Sequence, residues 1–142
     1  MELPALHFIV IDDNKLDSFI TERIIQKTCI NASVRSFINA KEVLELIKSE
    51  DDKGGLKIVL VVDIQMPIMN GFQFIEAFEE FTDEIKSRYF VTVLTSSTNE
   101  SDLNRIRNYP SVKHLFNKPL SSAIFSGVIG NLSPEKDLSR AS

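Results

Sequence analysis

The sequence predicts an α/β fold in which a five-stranded parallel sheet carries helices on both faces. Three observations lead there. Residues Ile58 to Val62 form an unbroken apolar run, the pattern of a strand buried on both sides. Four further short runs, Leu6 to Ile11, Ser33 to Ile38, Tyr89 to Leu94 and Val112 to Asn117, are spaced along the chain in the same manner. Segments with helical periodicity separate them, which calls for parallel pairing through right-handed crossovers.

The first strand ends directly in Asp12-Asp13. A helix from Lys15 to Thr28 follows, and Leu16, Phe19, Ile20 and Ile24 supply its apolar stripe. Asn31-Ala32 breaks it before the weakly alternating second strand. The second helix, Ala40 to Ser49, is expected to bury Val43, Leu44 and Ile47. Glu50 to Gly55 reads as a solvated loop with two glycines. After the central strand, a loop carries Met66-Pro67 and closes on Asn70-Gly71. A third helix, Phe72 to Phe81, places Ile75, Phe78 and Phe81 inward, flanked by Phe72 and Phe74. Thr82 to Arg88 is polar and begins with a cap or an extra turn. The fourth strand runs into Thr95-Ser96-Ser97. The helix after it, Ser101 to Tyr109, offers only Leu103 and Ile106 as apolar anchors and is expected to be the most mobile. The fifth strand ends at Lys118-Pro119, and Ser121 or Ser122 caps a last helix bearing Ile124, Phe125, Val128 and Ile129. Residues 1–132 thus form one domain, and 133–142 read as a polar tail that frays.

Composition narrows the function classes. The chain has 142 residues, 43% of them hydrophobic and 25% charged, with a formal net charge of −4. That balance gives no footprint for nucleic acid. No basic segment precedes an apolar one at Met1-Glu2-Leu3-Pro4, so no secretory signal is expected. No run of apolar residues is long enough for a membrane span. The single cysteine, Cys29, reads as a small hydrophobe. Together these points favour a cytoplasmic location.

The chemistry gathers at the strand ends. In a parallel sheet, Asp12-Asp13, Asp63, Thr95 and Lys118 all fall on the carboxyl edge, where open α/β sheets bind ligands. Each residue alone has an ordinary explanation as a cap, a turn hydroxyl or a surface charge. Together, three crowded carboxylates repel one another unless a cation neutralises them. Hard oxygen ligands suit Mg²⁺ or Mn²⁺. A lysine and a hydroxyl beside them suit a phosphoryl group. An aspartate in that setting can accept phosphate as an acyl phosphate.

These residues resemble the receiver domain of two-component response regulators. The matching pieces are Asp12-Asp13 after an apolar strand, Asp63 in D-I-Q-M-P-I-M-N-G, Thr95 in V-L-T-S-S and Lys118 in N-K-P. Order and spacing agree over Leu6 to Leu132. The resemblance implies a flavodoxin-like (βα)5 fold with sheet order 2-1-3-4-5. It implies that Asp63 takes phosphate from a phosphohistidine of a sensor histidine kinase or a histidine phosphotransfer protein. Asp13, Asp63 and the main-chain carbonyl of Gln65 would hold Mg²⁺ directly, and Asp12 would act through a water. Lys118 and Thr95 would contact the phosphoryl oxygens, and small Ser96 would leave access. Gln65 and Ser97 would tune the lifetime of the phosphoaspartate. Lys118-Pro119 would be cis, and Gly71 structural.

One departure concerns the switch. Family members often carry an aromatic residue three before the lysine, where Leu115 stands, and Phe116 beside it must face the other way. The chain also stops soon after its last helix, so the expectation is a stand-alone receiver acting by protein binding or phosphate relay, with an unidentified downstream protein. It would not be an enzyme beyond its own phosphorylation and dephosphorylation. Two alternatives stand beside this reading. A Mg²⁺-dependent phosphohydrolase would typically carry D-x-D, but Gln65 stands two residues after Asp63. A flavodoxin-like nucleotide or flavin module would need a glycine-rich loop where Asp13-Asn14-Lys15 stands.

Overall fold

In the computed structural model, the described residues are 6–29, 32–49, 58–64 and 70–130. The strands are β1 (His7–Ile11), β2 (Ser33–Phe37), β3 (Ile58–Asp63), β4 (Tyr89–Thr95) and β5 (Val112–Asn117). The helices are α1 (Lys15–Thr28), α2 (Ala40–Ser49), α3 (Gly71–Glu79), α4 (Asp83–Lys86), α5 (Glu100–Arg107) and α6 (Ser122–Gly130). The strands form one parallel sheet in the order β2-β1-β3-β4-β5. This is the doubly wound, flavodoxin-like arrangement the sequence implies. Among the described residues, no helix is long and apolar enough to cross a membrane. The predicted loop at 50–55 and tail at 133–142 lie outside the described residues.

Side-chain alternation along the strands builds two cores. Ile9, Ile11, Leu60, Val62, Val91 and Val93 face Val43, Leu44 and Ile47 of α2, Phe74, Ile75 and Phe78 of α3 and Ile106 of α5. Phe8, Val10, Val59, Val61, Leu94 and Phe116 face Ile25 of α1 and Phe125 and Ile129 of α6. The central strand is buried on both sides, as its unbroken run requires. The β4–β5 register shifts between Val91 and Thr92, whose partners are Val112 and His114. The extra residue, Lys113, is solvent-exposed. This bulge lets Val112 and Leu115 pack on the same core despite their odd spacing.

Three expectations change. Thr82 caps the additional short helix α4, accepting a hydrogen bond from the Ile85 N–H, so the described residues hold six helices where five were expected. Phe74 is fully buried in the α3 core, whereas Phe81 is only partly so. The largest correction concerns α1. Leu16, Phe19 and Ile20 are 67, 54 and 41% exposed, and the buried residues are Ser18, Thr21 and Ile25. The Phe8, Phe116 and Phe125 rings, with centroids 5.8 and 5.6 Å apart, already fill the layer under α1 and α6. Small Ser18 and Thr21 on the inner face of α1 suit that filled layer, and Leu16, Phe19 and Ile20 of the stripe are turned outward, while Ile24 packs partly against the core.

Helix α5 is also held differently from its sparse apolar pattern. Ile106 is fully buried, and a polar clamp ties the helix to α3. Arg105 donates to Glu76 at 3.0 Å, its guanidinium lies 4.0 Å from the Phe72 ring centroid, and the Tyr109 hydroxyl donates to Glu76.

Candidate functional site

Parallel register brings the strand ends together. Ile11 pairs with Val62, so Asp12 follows beside Asp63. Asp63 pairs with Leu94, which precedes Thr95, and Thr95 pairs with Asn117, which precedes Lys118. The Lys118 N–H then donates to the Thr95 carbonyl at 2.8 Å, fixing the lysine's backbone. The Lys118-Pro119 bond is cis, as expected, and Leu120 is buried just beyond it.

Carboxylate oxygens of Asp12, Asp13 and Asp63 lie within 4.8 Å of one another. Asp12 and Asp63 are buried and Asp13 is exposed, so the cluster opens to solvent on one side. Asp12 is doubly engaged. Its Oδ1 accepts from the Asn14 N–H at 2.9 Å and its Oδ2 from Lys118 Nζ at 3.3 Å. Lys118 Nζ also lies 3.5 Å from Asp63 Oδ1 and 3.0 Å from Asp17 Oδ2. Burial alone would lower the lysine's pKa. The hydrogen bond to Asp17 and the charges of Asp63 and Asp12 outweigh it, and the net shift is upward.

Thr95 is fully buried, and its hydroxyl oxygen accepts from the Ser97 N–H at 3.0 Å. Ser97 accepts from the Asn99 N–H at 3.1 Å and is paired with Asp102 at 3.3 Å, so it is part of the turn that starts α5. Ser96 is exposed beside it. Leu115 packs with the α3 and α5 core, and Phe116 with the opposite core, so the aromatic neighbour does not stand in for it. Gln65 lies outside the described residues.

Two local devices hold the end of β3. Asn70 caps α3 in a reciprocal box with Gln73. The Gly71 N–H donates to the Ile64 carbonyl at 3.0 Å. A Cβ at Gly71 would lie 2.6 Å from the Ile64 Cα and 2.9 Å from the Asp63 carbonyl oxygen. Only glycine allows so close an approach.

The residue that sequence reasoning missed is Asp17. It stands in the first turn of α1 and makes the shortest of the lysine's three carboxylate contacts. A shallow cavity of about 250 Å³ lies beside it, lined by Ile20, Thr21, Leu94 and Pro119 among others. Its one sequence signal was an acid one helical turn after Asp13, which also suits an ordinary helix start.

The model for the response regulator receiver domain matches residues 8–124. Stress response regulator protein 1 of Lodderomyces elongisporus is 25% identical over 114 residues, covering 80% of this chain and 29% of that protein. The chain therefore spans less than a third of the length of that curated relative. A response regulator receiver protein from Dyadobacter fermentans has a similar structure, with a TM-score of 0.79 and 25% identity over 89% of this chain and 96% of that one. A two component response regulator from Cytophaga hutchinsonii aligns with a TM-score of 0.75 at 20% identity, covering 92% and 97% of the two chains. The family match spans most of the chain and includes every strand end described above, so this protein belongs to the response regulator receiver domains of two-component systems.

Proposed function

We propose that Asp63 accepts a phosphoryl group from a phosphohistidine of a sensor histidine kinase or a histidine phosphotransfer protein. The receiver unit is taken to span residues 1–132 and to work in the cytoplasm. The observation that carries this reading is Asp63 at the end of β3, beside Asp12 and Asp13, with Lys118 Nζ 3.5 Å from its carboxylate. An Asp63 oxygen attacks phosphorus, the P–N bond breaks, and its electron pair leaves with the imidazole. Lys118 and the Thr95 hydroxyl then bond the phosphoryl oxygens.

Receiver domains generally bind Mg²⁺ at an acidic pocket. The donor set here fits such an ion, because the converging ligands are hard carboxylate oxygens with an open side at Asp13. Asp13 and Asp63, with the Gln65 carbonyl, would hold it. Asp12, with both oxygens engaged, would act indirectly. Bound there, Mg²⁺ or Mn²⁺ supplies the positive charge that lets an anionic carboxylate meet an anionic donor.

The donor protein is proposed to dock on the outward face of α1. Leu16, Phe19 and Ile20 are exposed there next to the acceptor edge, and such patches mark interaction sites. Output is proposed to run from Thr95 through its loop into α5, β5 and α6, with Leu115 contributing weakly. Gln65 and Ser97 are the proposed determinants of phosphoryl lifetime. The test is intact-mass analysis after incubation with acetyl phosphate. One phosphoryl group is expected with Mg²⁺ and none without it, and Asp63→Asn should take none. Undiminished labelling of Asp63→Asn would remove Asp63 from the role.

A further inference from the structure

We propose that Asp17 is a positioning residue that acts through Lys118. It draws the ammonium toward α1 before phosphorylation and competes with the phosphoryl oxygens for it afterwards. The inference rests on the reading of Asp63 as the phosphoacceptor.

The geometry distinguishes Asp17 from an ordinary acid at a helix start. In that place an acidic side chain commonly reaches back to the N–H of the capping residue. Here the Asn14 N–H is already bonded to Asp12 Oδ1 at 2.9 Å. The Asp17 N–H in turn donates to Asn14 Oδ1 at 2.9 Å, which fixes the first turn of α1 without the Asp17 carboxylate. That carboxylate turns to Lys118 Nζ, at 3.0 Å, nearer than either Asp12 at 3.3 Å or Asp63 at 3.5 Å. The lysine is 18% exposed and Asp17 40%, so the pair sits at the rim of the site, where it can be exchanged.

A lysine ammonium has three N–H donors, and three carboxylates already share them here. Phosphorylation of Asp63 adds strong acceptor oxygens and further negative charge at the same place. Asp17 must then yield a share of Lys118, and its own charge repels the new group. Asp17 therefore lowers the affinity of the site for a phosphoryl group.

The test uses beryllofluoride, a phosphoryl mimic, titrated into the protein in saturating Mg²⁺ and followed by NMR. Asp17→Asn and Asp17→Ala should bind it about 2–5-fold more tightly than the wild type, the size expected for a partly exposed ion pair. The Lys118 side-chain resonances of the unliganded variants should shift. Asp17→Glu, which keeps the charge, should return affinity toward wild type. High salt should narrow the gap, since it screens rim charges. A purely structural acid would predict none of this. Equal or weaker beryllofluoride binding by folded Asp17→Asn and Asp17→Ala would overturn the proposal. Binding retained by Asp63→Asn would instead overturn the phosphoacceptor reading.

Discussion

Helices α1 and α5 both leave the carboxyl edge of the sheet just after residues of the site, and both are capped by an asparagine, Asn14 and Asn99. Their surfaces are opposite. Helix α1 turns Leu16, Phe19 and Ile20 to solvent and Ser18, Thr21 and Ile25 to the sheet. Helix α5 exposes Glu100, Ser101, Asn104, Arg105 and Arg107 and buries Ile106. Apolar side chains left in water contribute nothing to folding, but they can be desolvated by a partner. A polar helix held by one buried residue and a surface clamp can shift at modest cost, because its clamp bonds can be replaced by water. The first arrangement suits docking and the second suits movement. Helix hydrophobicity and helix burial are thus separate properties, and the core beneath a helix sets which face turns inward.

The comparison breaks most visibly in stability. Ile25→Ala and Ile106→Ala, each fully buried, should destabilise the protein by about 2–5 kcal/mol in urea unfolding. Leu16→Ala should stay within about 0.5 kcal/mol. An equal loss for Leu16→Ala would reverse the assigned face of α1. The docking half is sharpened by transfer kinetics. Replacing Leu16 and Phe19 together by serine should slow phosphotransfer from a protein donor roughly tenfold, about 1.4 kcal/mol. Labelling by acetyl phosphate should be unaffected. Parallel losses with both donors would mean that the α1 face supports the site rather than the partner.

Smaller effects belong to the clamp. Arg105→Ala should speed amide exchange in α5 and leave α1 unchanged, because it removes the contacts to Glu76, Tyr109 and the Phe72 ring. The Tyr109 hydroxyl and the Arg105 guanidinium hold the Glu76 carboxyl below its ordinary pKa. A depressed carboxyl contributes stability above its unfolded pKa, and that contribution is lost as pH falls through the folded value. Tyr109→Phe should therefore raise the Glu76 midpoint in an NMR titration. An unchanged midpoint would remove the hydroxyl from the clamp.

The sheet was legible in the sequence because buried parallel strands read as continuous apolar runs and their ends carry Asp12, Asp63, Thr95 and Lys118. Strand parity also placed Leu115 and Phe116 on opposite cores. The orientation of α1 was not legible, since Leu16, Phe19 and Ile20 form a helical stripe whether or not a core receives it. Asp17 and the Glu76–Arg105 pair escaped notice for a related reason. Each draws its meaning from a partner far along the chain, at separations of 101 and 29 residues. Periodicity reports on neighbours within an element and carries no information about such pairs.

The most direct test of the phosphoacceptor assignment is chemical mapping of the label. The protein is incubated with acetyl phosphate and Mg²⁺, treated with borohydride, and digested for peptide sequencing by mass spectrometry. Borohydride reduces an aspartyl phosphate to homoserine. The expected result is homoserine at position 63, with Asp12, Asp13 and Asp17 unchanged. Homoserine at any of those three, with position 63 still aspartate, would contradict the assignment.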